Sequence, residues 1–157
     1  LVAQRALGEV DSLRVVAHSE QRTTALLMVA WLATQAGWRP GLELDIAAER
    51  AAGCDECFML ESREGRSITV KVEWDDAGAA LGLVELHAPD CLVRVSREGD
   101  ASYLQQRLEC PGHELMLRGP ADEISSADLV ADQLSRSGRN GLFRKVWPVF
   151  FELLRLS

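Results

Sequence analysis

Hydrophobic and polar positions alternate with a period of two through the middle of the chain. Ile68, Val70, Val72 and Trp74 are separated by Thr69, Lys71 and Glu73. That spacing predicts a strand with one buried and one wet face. Residues 58–61 form the strand before it, across Ser62-Arg63-Glu64-Gly65-Arg66, where the glycine suits the positive-φ position of a short hairpin loop. The design recurs. Residues 83–88 form a strand ended by Pro89-Asp90. Cys91, Val93 and Val95 then alternate with Leu92, Arg94 and Ser96. A second Ser-Arg-Glu-Gly turn at 96–99 leads to a strand over 103–109, and Pro111-Gly112 turns the chain into another over 114–118. Hairpin geometry alone can select the same turn twice, so no internal duplication is required.

The two ends have a different pattern. Residues 1–8 read as a short helix or a linker tail, and residues 13–17 as a buried strand. Ser19 follows as an N-cap, with Glu20 where the helix dipole favours an anion. A helix then runs to about Ala36. Gly37 suits the left-handed position after it, Trp38 supplies the apolar contact beyond, and Pro40 prevents continuation. Residues 23–38 carry no charge, and their apolar side chains fall on every side of the helix: Leu26, Ala30 and Ala33 on one, Leu27 and Trp31 on another, Met28 and Leu32 on a third. Such a helix must be covered all round. After Gly119-Pro120, Ser125 or Ser126 can cap a helix carrying Leu129, Val130 and Leu134. A last helix holds Val146, Trp147, Phe150, Phe151 and Leu153, with a kink or restart expected at Pro148.

The fold class expected is α+β, an antiparallel meander sheet with helices packed on one face, in the order β-α-β-meander-α-α. Residues 1–157 form a single domain. The far sheet face, with Thr69, Lys71, Glu73, Arg94, Gln105, Arg107 and Glu109, should be solvated. A net charge of -7 argues against nucleic acid or an anionic membrane as partner. The charge-free stretch is shorter than the about 20 residues a bilayer span needs. The chain starts without Met or a signal peptide, which reads as a fragment or processed product in the cytoplasm, with reduced thiols.

No constellation reads as an active site, so no catalytic residue, cofactor or metal is assigned. His18, His87 and His113 lack a Cys, Ser or acidic partner at motif spacing, and phosphate-loop motifs are absent. Cys54-Asp55-Glu56-Cys57 is a C-x-x-C, which can hold a metal or form a redox pair. Closing a zinc site would take two more ligands, from Cys91, Cys110 or a histidine. The acidic neighbours would raise the thiol pKa values.

Two stretches carry a resemblance. The helix with Ala25, Leu26, Leu27, Trp31, Leu32, Gly37 and Trp38 follows a short strand, and Gly138, Arg139, Asn140 and Leu142 form a turn into the closing helix. Both are similar to the C-terminal part of the OpcA-type glucose-6-phosphate dehydrogenase assembly proteins. The resemblance covers most of the chain but is specific at its two ends. It implies the second domain of a longer chain, with two partners: its own N-terminal domain and glucose-6-phosphate dehydrogenase. It further implies a non-catalytic role as an assembly factor and allosteric activator, at the entry to the oxidative pentose phosphate pathway. The residues expected at the partner interface are Trp31, Trp38, Arg139, Trp147, Phe150 and Phe151. Two other readings stand beside it: a thiol- or metal-dependent protein using Cys54 and Cys57, and a regulatory domain with a small-ligand pocket near His18 and Trp38.

Overall fold

A computed structural model of the chain describes residues 8–41, 54–97, 102–121 and 141–156, without the side chains of 141–143. Eight strands form one sheet: β1 (Ser12–Ala17), β2 (Arg39–Pro40), β3 (Glu56–Glu61), β4 (Ser67–Trp74), β5 (Leu81–Ala88), β6 (Cys91–Ser96), β7 (Tyr103–Cys110) and β8 (His113–Pro120). Two α-helices, α1 (Arg22–Ala36) and α2 (Gly141–Leu156), and a 3-10 turn at Ser19–Gln21 complete the described elements. The helix expected over 125–137, and Arg139, lie outside the described residues.

The sheet order is β2-β3-β4-β1-β5-β6-β7-β8. β1 is parallel to β4 and antiparallel to β5, so the sheet is mixed rather than a pure antiparallel meander. Two antiparallel runs, β2 to β4 and β5 to β8, are separated by β1. α1 carries the chain away from β1 to the sheet edge at β2. The chain then returns through β3 to β4, and the turn between β4 and β5 steps over the end of β1. Leu13, Val15 and Ala17 are buried, and this apolar strand takes the centre, where neighbours on both sides shield it. Asp75 N–H donates to the Ala17 carbonyl, and the Ser19 hydroxyl donates to the Asp76 carboxylate, fastening that turn across the strand end.

The start of α1 differs from the sequence expectation for the same reason. The Ser19 hydroxyl is engaged by Asp76 and does not cap the helix. Instead His18 Nδ1 accepts from the Glu20 N–H (3.2 Å) over a single 3-10 turn, and α1 begins at Arg22. The far end is as expected. Gly37 has φ 74°, its N–H and that of Trp38 both return to the Ala33 carbonyl, and Trp38 is buried. The first Ser-Arg-Glu-Gly turn also forms as expected: Gly65 has φ 77°, and the Ser62 hydroxyl accepts from the N–H groups of Glu64 and Arg66. Glu98 and Gly99 of the second such turn lie outside the described residues.

The core sits between one sheet face and the helices. Leu13 and Val15 of β1, Phe58 and Leu60 of β3, and Ile68, Val70 and Val72 of β4 share that face by register. Ala25, Leu26, Val29, Ala30 and Ala33 of α1 and Val146, Phe150 and Leu153 of α2 close over it. The alanines leave little side chain between the helix backbones, which lets α2 pack directly on α1. α2 runs through Pro148 as one helix, without the restart expected there; the ring leaves the Arg144 carbonyl without its helical donor.

Candidate functional site

Among the described residues, the charge-free helix is covered on two sides only. α2 and the sheet bury Ala25, Leu26, Val29, Ala30 and Ala33, whereas Leu27, Met28 and Leu32 are half-buried and Trp31 is 40% exposed. Beside Trp31, α1 stands over β5 and β6 without filling the space between. The result is an open apolar groove of about 310 Å³, with Met28, Trp31 and Leu32 on one wall and Val84, Val93 and Leu104 on the other.

On α2 the aromatic residues divide by one-residue steps. Phe150 is 5% exposed and belongs to the core, while Trp147 (38%) and Phe151 (47%) face outward. Their rings meet edge to face, 4.9 Å between centroids and 89° between planes, and Trp147 also lies 5.5 Å from Phe150. That geometry suits the aromatic quadrupole and holds the outer pair against a buried anchor. Of the six expected interface residues, Trp38 and Phe150 are buried in this structure. Both lie in the protomer core, because Gly37 turns Trp38 inward and the helical period turns Phe150 toward α1. Trp31, Trp147 and Phe151 remain at the surface.

The cysteines also depart from the expectation of free thiols. Cys54 pairs with Cys57, and Cys91 with Cys110. Cα separations of 6.3 and 4.4 Å fall within the span a disulfide bridges. The second pair joins β6 and β7 where their register ends at Leu92 and Glu109, which brings together two residues far apart in sequence. β3 and β6 are separated by β4, β1 and β5, four strand spacings or about 19 Å. The two cysteine pairs therefore cannot share one metal ion. Cys54 and Cys57 are both buried, which shields their sulfurs from an incoming thiolate.

His18 Nδ1 is engaged at the helix entry and Trp38 is internal. The groove beside Trp31 has walls that are mainly hydrocarbon.

Across the sheet, the opposite face is ion-paired. Arg14 grips Glu73 through two bonds of 2.9 and 2.7 Å, which hold the Glu73 carboxyl below the usual range and raise the Arg14 pKa. Glu85 is 4% exposed and accepts from His87 Nε2 (2.8 Å) and from Arg94. Burial alone would raise its pKa; the His87 and Arg94 bonds outweigh it and leave the carboxyl below its ordinary value. A carboxylate with a depressed folded-state pKa stabilises the fold above its unfolded pKa, and that contribution is lost as pH falls through the folded value. The contribution of Glu73 and Glu85 to the thermal midpoint should therefore be fully present and independent of pH near neutrality, and be lost on acidification below the ordinary glutamate value of 4.5. Glu85→Gln should make that acid slope shallower, measured by melting curves at a series of pH values. An unchanged slope would show that Glu85 does not contribute to it.

Among the described residues, no helix is long and apolar enough to cross a membrane, and no three His, Cys, Asp or Glu side chains gather as metal ligands.

Residues 2–147 match the OpcA family, described as the C-terminal domain of a glucose-6-phosphate dehydrogenase subunit. The chain belongs to this family. The match ends one residue before Pro148, so the family pattern takes in Trp31 and Trp147 and stops short of Phe151. No curated protein was found to be similar in sequence. Among solved structures, a point-mutant form of KijD10, a 3-ketoreductase from Actinomadura kijaniata, superimposes with a TM-score of 0.61 at 13% identity, over 99% of this chain and 54% of that one. KijD10 in complex with NADP and TDP-benzene gives a TM-score of 0.55 at 12% identity, over 92% and 52%. The chain thus spans about half the length of these relatives in structure. At such identity the likeness is one of fold: a mixed sheet with helices, without transfer of the reductase chemistry.

Proposed function

We propose that this chain is a non-catalytic interaction domain that binds glucose-6-phosphate dehydrogenase and favours its active assembly, with Trp31, Trp147 and Phe151 as anchors. The observation that carries the reading is the family match over residues 2–147. The exposed aromatics support it, since large aromatic side chains dominate interface cores. The activation is a population shift: a partner that binds the active assembly better than the inactive one stabilises it by the difference in affinity. On this reading the domain works in the cytoplasm, at the first step of the oxidative pentose phosphate pathway, and meets an N-terminal domain of its own longer chain.

The test is direct. The purified protein should co-elute with glucose-6-phosphate dehydrogenase from the same source and raise its velocity in a saturable way. Neither co-elution nor a change in velocity at saturating protein would overturn the proposal.

A further inference from the structure

β8 ends the sheet, and among the described residues no strand pairs with its outer edge. It is an eight-residue strand, every residue except Gly119 is exposed, and Leu115, Met116 and Leu117 are about half accessible. Open edges of this length offer unsatisfied backbone donors and acceptors to another strand.

The direction of those groups follows from the pairing with β7. Ala121 N–H donates to the Ser102 carbonyl, which turns Ala121 toward β7. Alternation by two then turns Gly119, Leu117, Leu115 and His113 the same way. Glu114, Met116 and Arg118 point their N–H and C=O groups to the free edge. So does Pro120, which has no N–H to offer and ends the usable edge.

We propose that β8 pairs antiparallel with β8 of a second copy of this chain, with Met116 on the two-fold axis. In that register Glu114 of each copy lies opposite Arg118 of the other. Leu115 faces Leu117 on the helix side of the sheet, and Pro120 falls outside the pairing. The interface is isologous, as a two-fold dimer requires. The register is selected by charge. An axis at Glu114 or at Arg118 sets like charges face to face, and an axis at Leu115 or Leu117 removes the pairing of opposite charges. Charges that merely guard an edge repel in every register, whereas two of opposite sign placed symmetrically about Met116 attract in this one. The Glu114 side chain is 65% accessible and lies 3.4 Å from Arg107, and Arg118 lies over the Tyr103 ring at 5.2 Å. Both partners belong to β7, so pairing across the free edge requires each side chain to turn from its β7 contact toward the second copy.

Sedimentation equilibrium of the full-length protein, from about 1 µM to about 1 mM, reads the association. The wild-type protein should dimerise reversibly. Glu114→Arg and Arg118→Glu, each of which makes both cross-strand pairs like-charged, should weaken the dimer by about tenfold or more. An equal mixture of the two variants should recover it, because one carries two arginines on the edge and the other two glutamates. If either variant fails to fold, Met116→Pro, which removes an outward N–H and leaves the bonds to β7 in place, replaces it and should also give monomer. A wild-type monomer at every concentration overturns the proposal, and is the result expected if β8 takes a strand of another protein. A dimer indifferent to these substitutions, or folded variants that do not associate on mixing, overturns it equally.

Discussion

Phe150→Ala will lower the unfolding free energy by about 3–5 kcal/mol, whereas Phe151→Ala, one position on, will change it by less than about 1 kcal/mol. The two residues share a helix, a residue type and a backbone context. They differ in surroundings: Phe150 is in the cluster with Val146, Leu153 and the buried side of α1, and Phe151 stands outside it with its ring against Trp147. Truncating Phe150 removes buried ring carbons and leaves a void that the alanines of α1 cannot fill, so transfer and cavity terms add. Truncating Phe151 exposes one edge of Trp147 and forfeits the edge-to-face contact, a loss of roughly 0.5–1.5 kcal/mol at most, and less where the ring is already wet. Urea unfolding of the two variants, compared at a constant slope, separates them. Equal losses would mean that α2 is not seated on α1 as described.

That contrast also marks where the sequence is informative. The period-two alternation of residues 68–74 places Ile68, Val70 and Val72 inside and their neighbours on the ion-paired face, because a strand has only two faces. Gly37 and Gly65 are legible because a positive φ selects glycine. The position of β1 is not legible in this way. Leu13-Arg14-Val15 alternates like any half-buried strand, and nothing local says that its neighbours are β4 and β5 rather than the next strand in the chain. Strand order depends on which distant edges the crossovers leave open. Ser19 fails as a cap for a related reason, since Asp76, distant in sequence, claims its hydroxyl. The cysteine pairs follow suit: Cys91 and Cys110 meet only because β6 and β7 are in register. Trp38 and Phe150 were legible as large apolar side chains, but not as core or surface. α1 is apolar on all sides, so its pattern does not say which side the sheet and α2 will leave uncovered. The one available signal was on α2. There Val146, Phe150 and Leu153 follow the helical repeat, and Trp147 and Phe151 fall one step off it.

Trp147→Ala should weaken binding to glucose-6-phosphate dehydrogenase by about 2 kcal/mol or more, roughly 30-fold, while leaving the fold intact. Its indole is the largest exposed side chain on α2, and its contacts with Phe150 and Phe151 fix its orientation before any partner arrives. A ring held in place loses little side-chain freedom on binding, which is why preorganised aromatics contribute more than their area suggests. Phe151→Ala should show a smaller loss. The double substitution should fall short of the sum of the two, because each ring supports the other at 4.9 Å. Trp31→Ala, on α1 beside the apolar groove, should also weaken binding if the dehydrogenase covers both helices, and should then add to Trp147→Ala only if the two sites do not touch. Titration calorimetry against the dehydrogenase, with the unfolding curve of each variant as control, reads the three single and two double substitutions. Undiminished affinity in both Trp147→Ala and Trp31→Ala would remove the exposed aromatics from the interface and move it to the ion-paired face of the sheet, where Arg14, Glu73, Glu85 and Arg94 offer a surface recognised by charge rather than by apolar area.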